Sequence, residues 1–307
     1  MMEVSSIRYY SMLPFTYTLL ITGKAPLLLP IFALLPKSSS NPIVTMLLYS
    51  LVDILNANAL IDITNSGESI SARLFTSPRK GVKWDGISIA AGYLFNPFTI
   101  ATCLSRSTNV FTNCAILYAI SNAVTGNAVN AMLALAFASY LSLYPLLLLP
   151  PLILLCYDRH IKAGKQSTTV LTFSTTHSAV WAGSIAALLY ASYFITGNSW
   201  EFLSATYGFQ LLVPDLTPNS GLWWYFFIEI FDSFREFFLG VFWLHLVGYV
   251  GGLTFRIRRQ PLFVITSLLG LFAIFKPYPS ISDVSLYLAL IPLYRHIFPR
   301  KYLFCPF

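Results

Sequence analysis

Charge is what this chain has least of. Only 10% of its 307 residues are Asp, Glu, Lys or Arg, against roughly 25% in an ordinary soluble domain. Hydrophobic residues make up 56% and aromatics 16%. A soluble globule of this composition would expose large apolar patches, which monomers in water rarely carry. Intrinsic disorder is excluded by the same excess, because it requires low hydrophobicity. Cys103, Cys114, Cys156 and Cys305 form no CxxC pair, so no disulfide framework is expected. No N-x-[ST] sequon occurs, and glycosylation therefore marks no loop. The motifs of self-contained catalysis are missing as well: there is no DxD or ExD pair, HExxH, GxSxG or P-loop. His160, His177, His245 and His296 stand apart from one another. No metal site and no cofactor is expected.

What is present is a succession of apolar runs separated by short basic loops. Lys and Arg number 19 against 12 Asp and Glu, a net charge of +7. The cations are scattered between apolar segments, which argues against nucleic acid and marks membrane topology instead. APLLLPIFALL (25–35) is too short to span a bilayer, which takes roughly 20 residues, and reads as a half-span. Convincing runs follow at 43–63, 84–104, 170–195 and 222–253. The stretch 111–157 holds either two long spans or several short kinked ones. A closing hairpin, 262–275 and 284–297, turns at KPYPS. The fold expected is an all-α polytopic transmembrane bundle of about eight to ten membrane segments, one membrane domain over residues 1–307. Basic residues at 73–83, 159–165, 256–259 and 295–301 should face the cytosol. The loop 197–221, with Glu201 and Asp215 but no cation, and the KPYPS turn should then face the lumen or exterior.

Polar groups inside the apolar runs are the candidate functional residues, since lipid makes them costly. In LVDILNANALID, Asp53 and Asn56 share one helical face and Asn58 and Asp62 lie nearly opposite. Either interhelical hydrogen bonds or a lining for a polar head group would account for them. In WWYFFIEIFDSFREFF, Glu229, Asp232 and Glu236 fall within roughly 60° of arc if the run is one helix. Arg235, three residues after Asp232, would partly neutralise it. This acidic seam would face basic residues of a partner, a cationic or hydroxyl-rich lipid head, or, least favoured, act as paired catalytic carboxylates. Lys276 and Asp283 flank the KPYPS turn; Lys276 would snorkel or position a phosphate.

The segments VPDLTPNSGLWWYFFIEIFDSFREFF, IFKPYPSISDVSLYLALIPLY, LFNPFTI and APLLLPIFALLP, in their relative order, resemble the PIG-U family. The resemblance covers about Ala25 to Tyr302 and is most specific from Val213 to Tyr294. PIG-U is the multispanning subunit of the glycosylphosphatidylinositol (GPI) transamidase of the endoplasmic reticulum membrane. The resemblance implies a catalytically silent relative of the dolichol-dependent, C-type glycosyltransferase fold, with Asn96-Pro97 shared with those enzymes. It further implies partners: the cysteine-protease subunit PIG-K that performs the chemistry, PIG-T, PIG-S, a GAA-type subunit, and the GPI glycolipid. Asp53, Asn56, Asp215, Glu229, Asp232, Arg235, Glu236, Lys276 and Asp283 are then candidate contacts to GPI lipid or to subunits, none of them catalytic. Residues 1–24 do not resemble the family and its members continue beyond the segment that ends here, so the chain is expected to be truncated at both ends.

The alternative is an active dolichol-phosphate-dependent glycosyltransferase using Glu229 and Asp232; a secondary transporter has broken helices of similar outline. A subunit role gives a direct expectation. Asp232→Ala should weaken GPI attachment or complex assembly more than Ser233→Ala, measured as surface display of a GPI-anchored reporter and as co-purification; equal effects would make the seam incidental.

Overall fold

The computed structural model describes residues 25–28, 30, 42–70, 84–164, 169–213 and 216–297. Asp215, the basic residues at 73–83, Lys165, Arg300 and Lys301 lie outside them. Among the described residues every regular element is helical. The principal helices are α1 (Pro42–Asn65), α2 (Gly86–Leu94), α3 (Pro97–Ser105), α4 (Asn109–Thr125), α5 (Ala128–Leu141) and α6 (Leu149–Lys162). They continue with α7 (Val170–Ile195), α8 (Leu222–Phe227), α9 (Arg235–Arg256), α10 (Pro261–Phe275) and α11 (Ile281–Leu290).

The stretch that sequence left undecided is a series of short helices, and each break has a local cause. Pro97 opens α3, where a missing N–H costs nothing. The Asn96 side chain accepts from the Phe98 N–H at 3.0 Å, so α2 and α3 bend by 50° without unravelling. Arg106 (φ 54°) closes α3 and Gly126 (φ 91°) closes α4, both left-handed, a conformation glycine adopts without steric penalty. A 3₁₀ turn at Tyr144–Leu148 carries Pro145 and leads into α6, whose first turn accommodates Pro150 and Pro151.

Three stretches, Ile43–Asn65, Val170–Ile195 and Asp232–Arg256, are long and apolar enough to cross a membrane; a bent α2–α3 span would make four. That is fewer than the eight to ten segments expected, because α4, α5, α6, α10 and α11 fall below the roughly 20 residues a straight span needs. Even so, contacts sort the helix termini into two opposite ends.

At one end, Arg159 donates to the Ser66 carbonyl at 2.9 Å and pairs with Glu68 at 3.2 Å, while Lys162 reaches Glu68 at 2.7 Å. These bonds join the ends of α1 and α6. Arg295 lies 4.4 Å from the centre of the Trp84 ring, and Glu68–Ile70, Arg259–Phe263 and Tyr294–Ile297 wall one notch. This is the basic end. At the other, the Tyr49 hydroxyl donates to the Arg106 carbonyl at 2.7 Å and Leu27 N–H to the Tyr140 hydroxyl at 3.0 Å. Tyr140 and Ser192 hydroxyls meet at 2.6 Å, and Thr217 N–H reaches the Tyr278 hydroxyl at 3.2 Å. This is the proline-rich end. The bent α2–α3 pair, α4, α5, α6 with its 3₁₀ lead, α7, α10 and α11 each connect one end to the other.

Packing uses small residues, since lipid gives apolar helices no reason to associate except close van der Waals fit and polar bonds. Ala119, Ala123, Ala131 and Ala138 are buried where α4, α5 and α7 meet. In the α10–α11 hairpin the approach is closer: a Cβ at Gly270 would stand 2.8 Å from the Tyr287 ring. By contrast α7 and α9 flank the bundle, with 6% and 11% of their most apolar windows buried against 44% for α1. Gly270→Val should therefore destabilise the detergent-solubilised protein by about 1–3 kcal/mol. Gly183→Val on open α7, where nothing lies within 4 Å, should cost less than about 0.5 kcal/mol; thermal unfolding of the two variants is the measurement.

Candidate functional site

Two turns dock on one another at the proline-rich end. In the first, Asn219 donates to the Thr217 carbonyl at 2.9 Å and accepts from Gly221 N–H at 2.7 Å. Asn219 also reaches the Pro277 carbonyl at 3.3 Å in the second turn, KPYPS. A Cβ at Gly221 would stand 2.7 Å from Pro279, so only glycine fits. Trp223, fully buried, donates from Nε1 to the Phe275 carbonyl at 2.7 Å, satisfying an orphan acceptor at the end of α10. Thus Thr217–Gly221 and the FKPYP segment, distant in sequence, form one surface.

Beside this surface lies a cleft of about 490 Å³, open to solvent, between α3, the Tyr144 turn, Phe209–Gln210 and Lys276–Ile281. Its wall carries hydroxyl and amide groups, including Thr102, Ser105, Asn109, Ser142 and Gln210. Lys276 does not snorkel. Its side chain is 15% exposed, its Nζ is 2.6 Å from Asp283 Oδ1, and it sits 5.1 Å from the centre of the Tyr144 ring. Asp283 occupies the third position of α11 in a capping box: it accepts from Ser280 N–H at 3.3 Å, while the Ser280 hydroxyl accepts from Ser282 N–H at 3.2 Å. The Tyr144 ring is buried, stacked on Trp243 at 5.5 Å, and its hydroxyl has no partner among the described residues. A buried hydroxyl left unpaired is costly, and Tyr144 is one of the residues that line the cleft.

Asp53 and Asn56 lie elsewhere. The Tyr93 hydroxyl donates to Asp53 Oδ1 at 3.0 Å and accepts from Asn56 Nδ2 at 3.1 Å, all three buried between α1 and α2. On the far face of α1, Asp62 accepts from the Ser121 hydroxyl at 3.2 Å. Both faces of α1 thus bond to neighbouring helices and neither contributes to the cleft.

The acidic seam is not one helical face. Residues 222–253 are expected to form a single span, but α8 ends at Phe227, a 3₁₀ turn runs Asp232–Phe234, and α9 begins at Arg235. Phe226 packs tilted against Phe242, ring centres 5.1 Å apart, and edge-on against Phe238 at 5.3 Å; on one straight helix residues sixteen apart would be about 24 Å apart. Aromatic packing thus folds α8 back on α9, and Glu229, Asp232 and Glu236 lie around the bend. All three are exposed and make no ion pair among the described residues. Arg235 does not neutralise Asp232; it donates to the Val213 carbonyl, at a residue held left-handed (φ 43°).

The family described as "GPI transamidase subunit PIG-U" matches residues 9–306. This chain belongs to the PIG-U family. It is similar to the human GPI-anchor transamidase component PIGU, 37% identical over 228 residues, which are 74% of this chain and 52% of that protein. The GPI transamidase component GAB1 of Saccharomyces cerevisiae is 33% identical over 256 residues, covering 82% of this chain and 58% of its own. The GAB1 homolog of Schizosaccharomyces pombe is 35% identical over 214 residues, 69% of this chain and 50% of its own. This PIG-U family chain spans about half the length of the curated relatives it matches. With its three long apolar helices, it is a membrane protein.

Of the described residues singled out from sequence, Lys276 lines the PIG-U family chain's cleft, and Asp283 pairs with it from the α11 cap behind. Tyr144 was not among the sequence candidates; a Tyr directly before Pro at the start of the apolar run YPLLLLPP was the available signal. The Lys276–Asp283 geometry makes its own prediction. Asp283→Ala removes a cap and leaves a mostly buried ammonium alone, a loss of about 1–3 kcal/mol. Adding Lys276→Met should restore part of it, so that thermal unfolding of the double variant shows less destabilisation than the sum of the singles.

Proposed function

We propose that this chain is a non-catalytic subunit of a GPI transamidase, seated in the endoplasmic reticulum membrane with its basic end toward the cytosol. In this reading it holds the GPI glycolipid and helps assemble the complex with the PIG-K cysteine-protease subunit, PIG-T, PIG-S and a GAA-type subunit. The observation that carries the site is the cleft at the proline-rich end. A buried Tyr144 hydroxyl without a partner and a Lys276 ammonium with one donor committed to Asp283 suit a ligand that offers both hydroxyls and phosphate oxygens. A GPI head group offers both, at the membrane level where the cleft opens. The names of the relatives support the assignment to the transamidase.

The exposed acids at the α8–α9 bend add a surface of the opposite sign, suited to basic residues of another subunit. An active glycosyltransferase is not favoured: the break between α8 and α9 removes the common helical face that would have paired Glu229 with Asp232, and both are exposed. The eight to ten membrane segments and the kinship with the C-type fold belong to the same proposal. The helices α4, α5, α6, α10 and α11, each shorter than a full span, would cross a locally thinned or tilted path.

The test uses microsomes expressing the full chain and a photoreactive GPI precursor. Crosslinking to the chain should fall at least about fivefold in Tyr144→Phe, the order of one lost buried hydrogen bond, with assembly unchanged by co-purification of the cysteine-protease subunit. Crosslinking undiminished in Tyr144→Phe would remove the cleft from the proposal, and recovery of the chain without that subunit would remove the subunit role.

A further inference from the structure

The basic end holds a second cavity, and topology does not require one. Glu68, Ser69 and Ile70 from the turn after α1, Arg259 to Phe263 from the α9–α10 connection, and Tyr294, His296 and Ile297 after α11 enclose a notch of about 260 Å³. Its floor is apolar, from Ile70, Leu262 and Phe263, and its rim is charged. Glu68 is the carboxylate in its wall, and it is already claimed by two cations: Lys162 at 2.7 Å and Arg159 at 3.2 Å, with 5% of its side chain exposed. Glu68 is thus committed to that pair. Tyr294 is also committed, its hydroxyl lying 3.2 Å from that of Thr266. Burial pulls the His296 pKa below its ordinary value, so the imidazole meets the notch uncharged at neutral pH.

Arg259 is different. It is exposed on the rim and makes no ion pair or hydrogen bond among the described residues. Arg256 and Arg258 stand exposed one turn away, and Arg295 lies over Trp84 at the same end. Orienting a membrane protein needs cations at this end and nothing more. An unpaired guanidinium above an apolar-floored cavity offers something further: a planar fork for phosphate oxygens and a dry recess for the glycerol and first acyl carbons.

We infer that this notch binds the phosphate of an anionic phospholipid of the adjacent leaflet, with Arg259 as the phosphate ligand and Leu262 and Phe263 under the glycerol backbone. Basic pockets between transmembrane helices at the cytosolic side take such head groups by the same electrostatics. The site is separate from the cleft at the proline-rich end and does not depend on its assignment. The same chemistry would suit a soluble phosphate ester, so the test separates the two sources.

The full chain, purified in detergent, is mixed with dioleoylphosphatidylglycerol or dioleoylphosphatidylcholine, and bound lipid is read by native mass spectrometry. The anionic lipid should be retained preferentially. Arg259→Gln should lower that retention about fivefold, the worth of one arginine beside an anionic surface, while Arg256→Gln lowers it less than twofold. Leu262→Trp, which keeps every charge but fills the floor, should also abolish the preference; thermal unfolding identifies any variant that has lost its fold, and Phe263→Trp then takes its place. Equal retention of the two lipids, equal loss in Arg259→Gln and Arg256→Gln, or displacement of bound lipid by soluble glycerol 3-phosphate would each overturn the inference.

Discussion

A helix surrounded by hydrocarbon gains little by touching another helix, because lipid tails are as apolar as leucine. What draws the short helices of this bundle together is the polar group that has no water to turn to. Tyr93 joins α2 to Asp53 and Asn56 of α1. The hydroxyls of Thr99 and Ser285 meet at 2.6 Å between α3 and α11, and Asn113 of α4 donates to the Ser282 carbonyl at 2.9 Å. Each bond is local, but α11 receives two of them and so ties the closing hairpin to the middle of the chain. With the small side chains between α4, α5 and α7, these pins hold helices that are individually too short and too broken to be placed by length alone.

The two ends of the bundle follow from the same scarcity. Charges that cannot enter the apolar layer collect where it stops, and the chain's loops bring them to one face. There they are partly neutralised, by Glu68 between Arg159 and Lys162, and partly left open, at Arg256, Arg258 and Arg259. The opposite end is built from proline turns, tyrosines and amides. Its chemistry is that of hydrogen bonding, with the Lys276 ammonium held in place by the acid that caps α11. A ligand of hydroxyls and phosphates suits one end and a bare phosphate at a membrane surface suits the other.

Rigidity is also unevenly distributed. The core of α1, α4, α5, α6, α10 and α11 is closely packed, whereas α7 and α9 present most of their surface outward. The acidic bend between α8 and α9 stands at the edge of that outward surface. Aromatic side chains hold the bend: Phe226 of α8 packs against Phe238 and Phe242 of α9. The acids consequently stand exposed around the bend rather than along one helical face.

Composition and charge pattern alone were sufficient to establish helices in an apolar solvent, the grouping of the basic loops and the closing hairpin, because each is a one-dimensional property of residue order. Family membership was legible too, since VPDLTPNSG and FKPYPSISDV are long, ordered signatures. What sequence periodicity could not reach was the partner of any polar group. It placed Glu229, Asp232 and Glu236 on one arc by assuming a continuous helix, and only the contact between Phe226 and Phe242 shows that the helix turns back. It offered Lys276 two roles without the Asp283 pairing, and passed over Tyr144, whose unpaired hydroxyl is visible only once its burial is known. Hydropathy is summed along the chain, but hydrogen bonds and stacking are made across it, and the tertiary structure alone decides those.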